Sequence, residues 1–256
     1  MQLKSLWDCL KRGAVPDLDK IDRHKMQALL FDKDGTLFHF RATWEVWMAQ
    51  TIHDLSGGDP DLAQRLGDAV LFDITTQEFS PLSPVIAGTG EEASRALHAV
   101  LPDRDYEQLH QDLMISSAQA PLAPAANLGA LLDELRGMGL KLGVMTNDAE
   151  ISAKAHLKSA QIEGAFDFVA GFDSGFGAKP SPEPLLAFAQ AVGVAPEHTA
   201  MIGDSTHDLI AGRAAGMATI GVLTGLALPP DLEPYADVIL PDIGHLPQWL
   251  TTNDNM

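Results

Sequence analysis

The sequence predicts an α/β fold: a parallel sheet with helices on both faces, interrupted early by a helical insertion. Three observations predict it. From residue 125 onward, strand-type apolar runs alternate with helical patterns, the signature of βαβ units. Residues 38–122 hold few strand-like runs, and their apolar residues recur at helical spacing. Polar residues stand where apolar strands stop, and parallel sheets build their sites at those carboxyl ends.

In chain order, residues 1–25 read as a short amphipathic helix and a polar connector containing Pro16, with no chemistry assigned. Residues 28–32 form the first strand. Trp44, Trp47, Met48, Ile52 and Leu55 share one helical face, and Gly57-Gly58-Asp59-Pro60 ends that helix. Helical patterns return around 61–71, 90–100 and 105–119, with turn signals at Ser80-Pro81 and Leu101-Pro102. The insertion closes near Pro121-Leu122-Ala123-Pro124, and its Trp and Met side chains are assigned to a core. Helix 125–137 stops at Gly137-Met138-Gly139. Strand 140–146, helix 149–160, strand 167–171 and a glycine-rich loop follow. Helix 182–192, strand 199–203, helix 206–215 and strand 218–223 complete the alternation. A last strand is expected at 236–240 and a helical turn at 246–250, with fraying from Thr251.

Composition narrows the function. A chain of 256 residues with 46% hydrophobic and 20% charged residues can bury a sizeable core. A formal net charge of -18 argues against nucleic acid or an anionic membrane as partner, because the long-range field repels both. The single cysteine, Cys9, reads as an apolar helix position and excludes an intrachain disulfide or a cysteine metal cluster. Charges interrupt every apolar run of the first twelve residues, unlike a signal peptide. The most apolar stretch, 214–228, is too short and glycine-rich for a membrane helix. A soluble protein of a reducing compartment, the cytoplasm, is expected. Nothing in the sequence sets an oligomeric state.

The chemistry starts where the first strand ends, at Phe31-Asp32-Lys33-Asp34-Gly35-Thr36-Leu37. In extended chain, Asp32 and Asp34 project to one side and Lys33 to the other. Two close carboxylates are costly unless a cation or proton lies between them. Three further positions, each expected at a strand end, carry polar residues: Thr146-Asn147, Lys179 before Pro180, and Gly203-Asp204-Ser205-Thr206-His207-Asp208. Pro180 biases Lys179 toward extended backbone, Ser181 can cap the next helix, and Pro182 suits its first position. Convergence would gather Asp32, Asp34, Asp204 and Asp208 around one lysine, which calls for a divalent metal. All-oxygen ligands favour Mg²⁺ over Zn²⁺. Such a site suits a phosphoryl group: Asp32 attacks phosphorus to give an aspartyl-phosphate, Lys179 and Mg²⁺ stabilise charge, and Asp34 moves protons.

These blocks resemble the four motifs of the haloacid dehalogenase-like superfamily. Asp32-Lys33-Asp34-Gly35-Thr36 is similar to its first motif, Thr146 to its second, Lys179 to its third, and Gly203-Asp204 with Asp208 to its fourth. The resemblance covers about 28–40 and 120–225, and its nearest subgroup is the phosphoglycolate-phosphatase-like enzymes. It implies a Rossmann-like core, 1–37 and 123–256, and an inserted α-helical cap, 38–122. It implies Asp32 as nucleophile, Asp34 as acid and base, and Thr146, Asn147 and Lys179 on phosphate. Mg²⁺ would be held by the Asp32 side chain, the Asp34 backbone carbonyl and Asp204, with Asp208 either a ligand or the partner of Lys179. Asn147 can instead cap the next helix. The implied activity is hydrolysis of a small phosphorylated metabolite, phosphoglycolate-like or a sugar phosphate. At Phe38-His39-Phe40-Arg41 the chain departs from relatives that carry an acidic-serine pair, and His39 and Arg41 are candidates for facing the substrate. His207 reads as a helix-surface residue, and His53, His98 and His110 as structural or exposed.

Three other functions stand beside this one. A phosphomutase would use the same site. A serine esterase would use Ser205 with Asp242 and His245 as a triad. A non-catalytic binding module would need none of Asp32, Asp34, Lys179 and Asp204.

Overall fold

The computed structural model describes residues 23–80 and 82–252. The expected helix before residue 23, with Cys9 and Pro16, lies outside the described residues, as do Pro81 and 253–256.

A six-stranded parallel sheet organises the chain. Its strands are β1 (Ala28–Phe31), β4 (Lys141–Met145), β5 (Phe168–Ala170), β6 (Thr199–Gly203), β7 (Ala218–Val222) and β8 (Val238–Leu240), in the order β5-β4-β1-β6-β7-β8. β1 pairs with β4 on one side and β6 on the other, so Phe31 lies beside both Val144 and Ile202. All four residues of β1 are buried. Leu29 and Phe31 join one apolar cluster, Ala28 and Leu30 another. That alternation is what period-two geometry gives when helices cover both faces.

Helices α6 (Leu128–Gly137), α7 (Glu150–Ser159) and α11 (Leu246–Thr251) cover the first face through Leu131, Leu132, Leu135, Leu157, Leu246 and Leu250. Helices α8 (Glu183–Val192) and α9 (Thr206–Ala215) cover the second through Leu185, Phe188, Ala211 and Ala215. Phe188 approaches so closely that a Cβ on Gly143 would stand 2.5 Å from its ring. A short helix α10 (Pro229–Leu232) precedes β8.

Between β1 and β4 lies a segment with its own core. A π-turn over Arg41–Glu45 leads into α1 (Val46–Ser56), followed by α2 (Pro60–Ala69), α3 (Pro84–Ala87), α4 (Gly90–Val100) and α5 (Tyr106–Ser117). Phe40, Trp44, Met48, Ile52, Leu66, Leu97, Leu109 and Leu113 form an apolar cluster separate from the sheet's two. α1 ends at Gly57 in left-handed conformation (φ 60°), where a side chain would be strained. Asp59 caps α2 by accepting from the N–H groups of Asp61 and Leu62.

The sequence expectation missed a small hairpin here: β2 (Phe72–Asp73) pairs antiparallel with β3 (Glu78–Phe79). Two residues per strand are too few to show alternation. The hairpin is held by Phe72 against Phe79, ring centroids 4.9 Å apart, and by Asp73, which accepts from the Thr75 and Thr76 N–H groups. Two other expectations need correction. Lys179 is not at a strand end: β5 stops at Ala170, and a glycine-containing loop carries the chain to Lys179. Ser181 does not cap α8; its N-cap is Pro182 without a side-chain bond, and the Ser181 hydroxyl turns to Glu183. Among the described residues, no helix is long and apolar enough to cross a membrane.

Candidate active site

The strand order decides which side chains meet. β1 is central, so Asp32 emerges between the ends of β4 and β6, where Thr146 and Asp204 also emerge. The Asp32 N–H bonds the Ile202 carbonyl at 2.8 Å and extends that register by one residue. The Lys179 loop then closes over the junction. Its ammonium lies 2.6 Å from Asp32 Oδ1 and 2.6 Å from Asp208 Oδ1. Asp32, Thr146, Lys179, Asp204 and Asp208 are all buried, and Asp34 is half-buried.

Asp32, Asp204 and Asp208 each bring a carboxylate oxygen to a cluster in which all three lie within 4.8 Å of one another. Burial pushes the Asp32 carboxyl up to about 7; Lys179 opposes this, and the charges of Asp208 and Asp34 add to it. Asp204 is raised well above the usual carboxylate range by burial and then by Asp32 and Asp208. Burial works against the charge on Lys179, but Asp208 and Asp32 outweigh it and hold the lysine above its ordinary value. One ammonium shared by two carboxylates stays charged without neutralising both. The residual repulsion among hard oxygen donors fits a divalent cation such as Mg²⁺.

Backbone shape makes room for this cluster. Gly35 has φ 87°, and a Cβ there would fall 2.4 Å from the Asp204 carboxylate. At Gly225, in the loop after β7, a Cβ would fall 1.6 Å from Asp204 Oδ2. Thr224 donates to the Gly35 carbonyl at 2.6 Å, tying that loop to the first motif. Thr36, fully buried, donates to Asp204 Oδ1 at 3.4 Å. Residues 224 and 225 were not singled out in the sequence; no local pattern marks them.

The remaining expected residues divide. Thr146 lines the cavity, and its hydroxyl accepts from the Asp148 N–H. Asn147 lines it too, but its amide grips the Lys179 backbone: Nδ2 donates to the Lys179 carbonyl and Oδ1 accepts from its N–H, both at 2.9 Å. It is not the cap of α7, whose N-cap is Ala149. Asp208 Oδ2 accepts from the Ser205 N–H and hydroxyl, completing the capping box of α9, while Oδ1 faces Lys179. Asp208 is thus bonded to Lys179 and Ser205 while one of its oxygens also belongs to the carboxylate cluster. His39 is exposed and Arg41 pairs with Glu45 and Glu78; neither lines the cavity, whereas Phe40 between them does. His207 is not a plain surface residue: it is half-buried and lines the cavity. The esterase triad does not form. Ser205 is engaged with Asp208, and His245 pairs with Asp242 at an exposed turn away from the cavity.

Lys33 departs most from expectation. It does not line the cavity, but its ammonium turns back to Asp34 at 2.7 Å and also meets Asp148 at 3.1 Å and His156 Nδ1 at 3.0 Å. It is fully buried and lies 5.2 Å above the Trp44 ring. His156 Nε2 faces the Ser117 carbonyl at 2.8 Å. An ammonium only donates and a carbonyl only accepts, so His156 is the neutral tautomer protonated at Nε2. Burial, then the Lys33 charge, lowers its pKa accordingly. The one available signal was a lysine between two aspartates.

Comparison with known proteins shows the family. The family model described as haloacid dehalogenase-like hydrolase matches residues 26–216. The chain belongs to the haloacid dehalogenase-like hydrolase family. It is 31% identical over 238 residues to a phosphoglycolate phosphatase from Neisseria meningitidis, covering 87% of this chain and 92% of that protein. It is 28% identical over 211 residues to the pyrophosphatase PpaX from Bacillus cereus, covering 82% and 89%. A crystal structure described as a HAD phosphatase, from Thermococcus onnurineus, superposes with a TM-score of 0.64 at 23% identity, covering 88% of this chain and 98% of that one. The six-stranded parallel sheet with helices on both faces is thus the Rossmann-like fold of this hydrolase family.

Proposed function

We propose that the protein is a Mg²⁺-dependent phosphatase that hydrolyses a small phosphomonoester through an aspartyl-phosphate at Asp32. The observation that carries this reading is the buried Lys179 ammonium between Asp32 and Asp208, beside Asp204. In this reading 1–37 and 123–256 are the catalytic core and 38–122 is the cap.

Asp32 presents a carboxylate oxygen to phosphorus; attack forms an O–P bond as the ester P–O bond breaks. Lys179, fixed by Asp208 and by the grip of Asn147 on its backbone, offers its N–H groups to the phosphoryl oxygens. The Thr146 hydroxyl is placed on the same group. Asp34, oriented by Lys33, gives a proton to the departing alkoxide and then takes one from the water that cleaves the acyl phosphate. Asp32, Asp204 and the Asp34 backbone carbonyl would hold Mg²⁺, with Asp208 acting through Lys179. The ion would neutralise the carboxylates and screen the incoming phosphate. The name of the Neisseria relative makes phosphoglycolate a candidate substrate, and sugar phosphates are another.

Phosphate release from p-nitrophenyl phosphate tests this. Release is expected with Mg²⁺, none with chelator, and none from Asp32→Asn. Full activity of Asp32→Asn with metal bound would sink the nucleophile assignment.

A further inference from the structure

The wall of the cavity facing the phosphate site comes from residues 40–117, and its chemistry is one-sided. Phe40, Trp44, Trp47, Ile86, Leu113 and Met114 line it. Residues 38–122 contain no lysine, and their arginines are Arg41, Arg65, Arg95 and Arg104. All four are exposed, and none lines the cavity. Arg41 is paired with Glu45 and Glu78, and Arg95 with Glu91. Among the described residues, the cavity's potential cations are Lys179, already shared between Asp32 and Asp208, and His207 at the mouth of α9.

Two of the three hydroxyls on this wall also donate within it. Ser94 donates to the Gly90 carbonyl at 2.7 Å and meets His110 at 2.9 Å. Ser117 donates to the Met114 carbonyl at 2.9 Å, and Thr89 accepts from the Glu92 N–H. A carboxylate, a second phosphate or a polyol placed here would lose water and find few partners, which costs free energy. An apolar group would gain burial against two tryptophans.

Building on the phosphatase reading above, we infer that the substrate is the phosphomonoester of an apolar, uncharged alcohol, aromatic or aliphatic, whose carbon skeleton packs against Trp44, Trp47 and Met114. This departs from what the names of the curated relatives suggest, because phosphoglycolate and pyrophosphate both carry a second anionic group.

The test compares kcat/KM, with Mg²⁺, for benzyl phosphate and hexyl phosphate against phosphoglycolate, glucose 6-phosphate and pyrophosphate. The organic esters all leave as primary alcohols. The apolar esters are expected to lead by at least about tenfold. Parity, or a lead for phosphoglycolate, glucose 6-phosphate or pyrophosphate, overturns the inference while leaving the phosphatase reading intact. If nothing is turned over, the phosphatase reading falls, and calorimetric binding to the Asp32→Asn protein decides the substrate class separately. Tighter benzyl phosphate supports it; equal or tighter phosphoglycolate, or no binding of either, overturns it. Met114→Arg, which places a cation on the wall, is expected to narrow the gap toward phosphoglycolate. The wild-type comparison stands without it should that variant not fold.

Discussion

Lys33 and Asp34 are neighbours in the chain, and the Lys33 ammonium lies 2.7 Å from both oxygens of the Asp34 carboxylate. The lysine is wholly buried, and its polar contacts Asp148 and His156 belong to the segment after β4. Through His156 the contact reaches the Ser117 carbonyl, at the end of α5 on the cavity wall. Asp34 is therefore tied to the wall of the cavity.

Replacing Lys33 by methionine keeps much of its length and removes its charge. Asp34 and Asp148 then lose the cation they share. Removing one partner of a buried pair costs about 3–5 kcal/mol, and the slight exposure of the two carboxylates, 13% and 12%, places the cost at the lower end. Urea unfolding measures it. If Lys33 positions Asp34, kcat falls while KM for a phosphate ester changes little, and Lys33→Arg recovers part of kcat.

Asp204 and Asp208 are expected to behave differently. Asp204→Asn removes from the cluster a buried carboxylate oxygen that no lysine holds, so Mg²⁺ affinity by calorimetry falls about tenfold or more. Asp208→Asn leaves that cluster one charge weaker but mainly frees Lys179, so kcat falls further than Mg²⁺ affinity does. Equal loss of affinity in both variants would show that Asp208 is a direct ligand.

Gly225→Ala places a methyl group where the Asp204 carboxylate sits, 1.6 Å from Oδ2. The loop after β7 must move, and Asp204 must turn. Stability is expected to fall by about 1–3 kcal/mol, with Mg²⁺ affinity reduced as well. Wild-type affinity in this variant would contradict the packing of that loop on Asp204.

The pH dependence follows from Asp32. Its folded-state pKa of about 7 lies above the unfolded value of 3.8. The fold binds this proton more tightly than the unfolded chain does. The resulting contribution to stability is complete below the unfolded value and is lost as pH rises through about 7. By this contribution the Tm of metal-free protein declines between about pH 5 and pH 8, measurable by scanning calorimetry. Mg²⁺ competes with that proton, so the Tm gain on adding it is larger at the upper end.

The order of strands and helices from 125 onward was legible because each strand is a short apolar run bounded by glycine or a polar residue. Asp32, Lys179 and Asp204 were legible because each interrupts an apolar or glycine-rich context with a charge. The β2–β3 hairpin was not, because its stability comes from the Phe72–Phe79 contact and not from alternation. His39 and Arg41 drew attention by position alone, whereas the side chain that reaches the cavity between them is Phe40.

The sequence by itself determined the fold class, the family and the identity of the charged residues that gather at the end of β1. These depend on local periodicity and residue type, which a chain carries without being folded. Tertiary structure alone decided their partners: Asp208 to Lys179, Asn147 to the Lys179 backbone, Lys33 to Asp34, and an uncharged wall opposite the carboxylate cluster. The physical reason is that a charge or an amide reaches whatever lies within about 3 Å of its tip. For a long side chain leaving a strand end, packing between distant segments sets that neighbour.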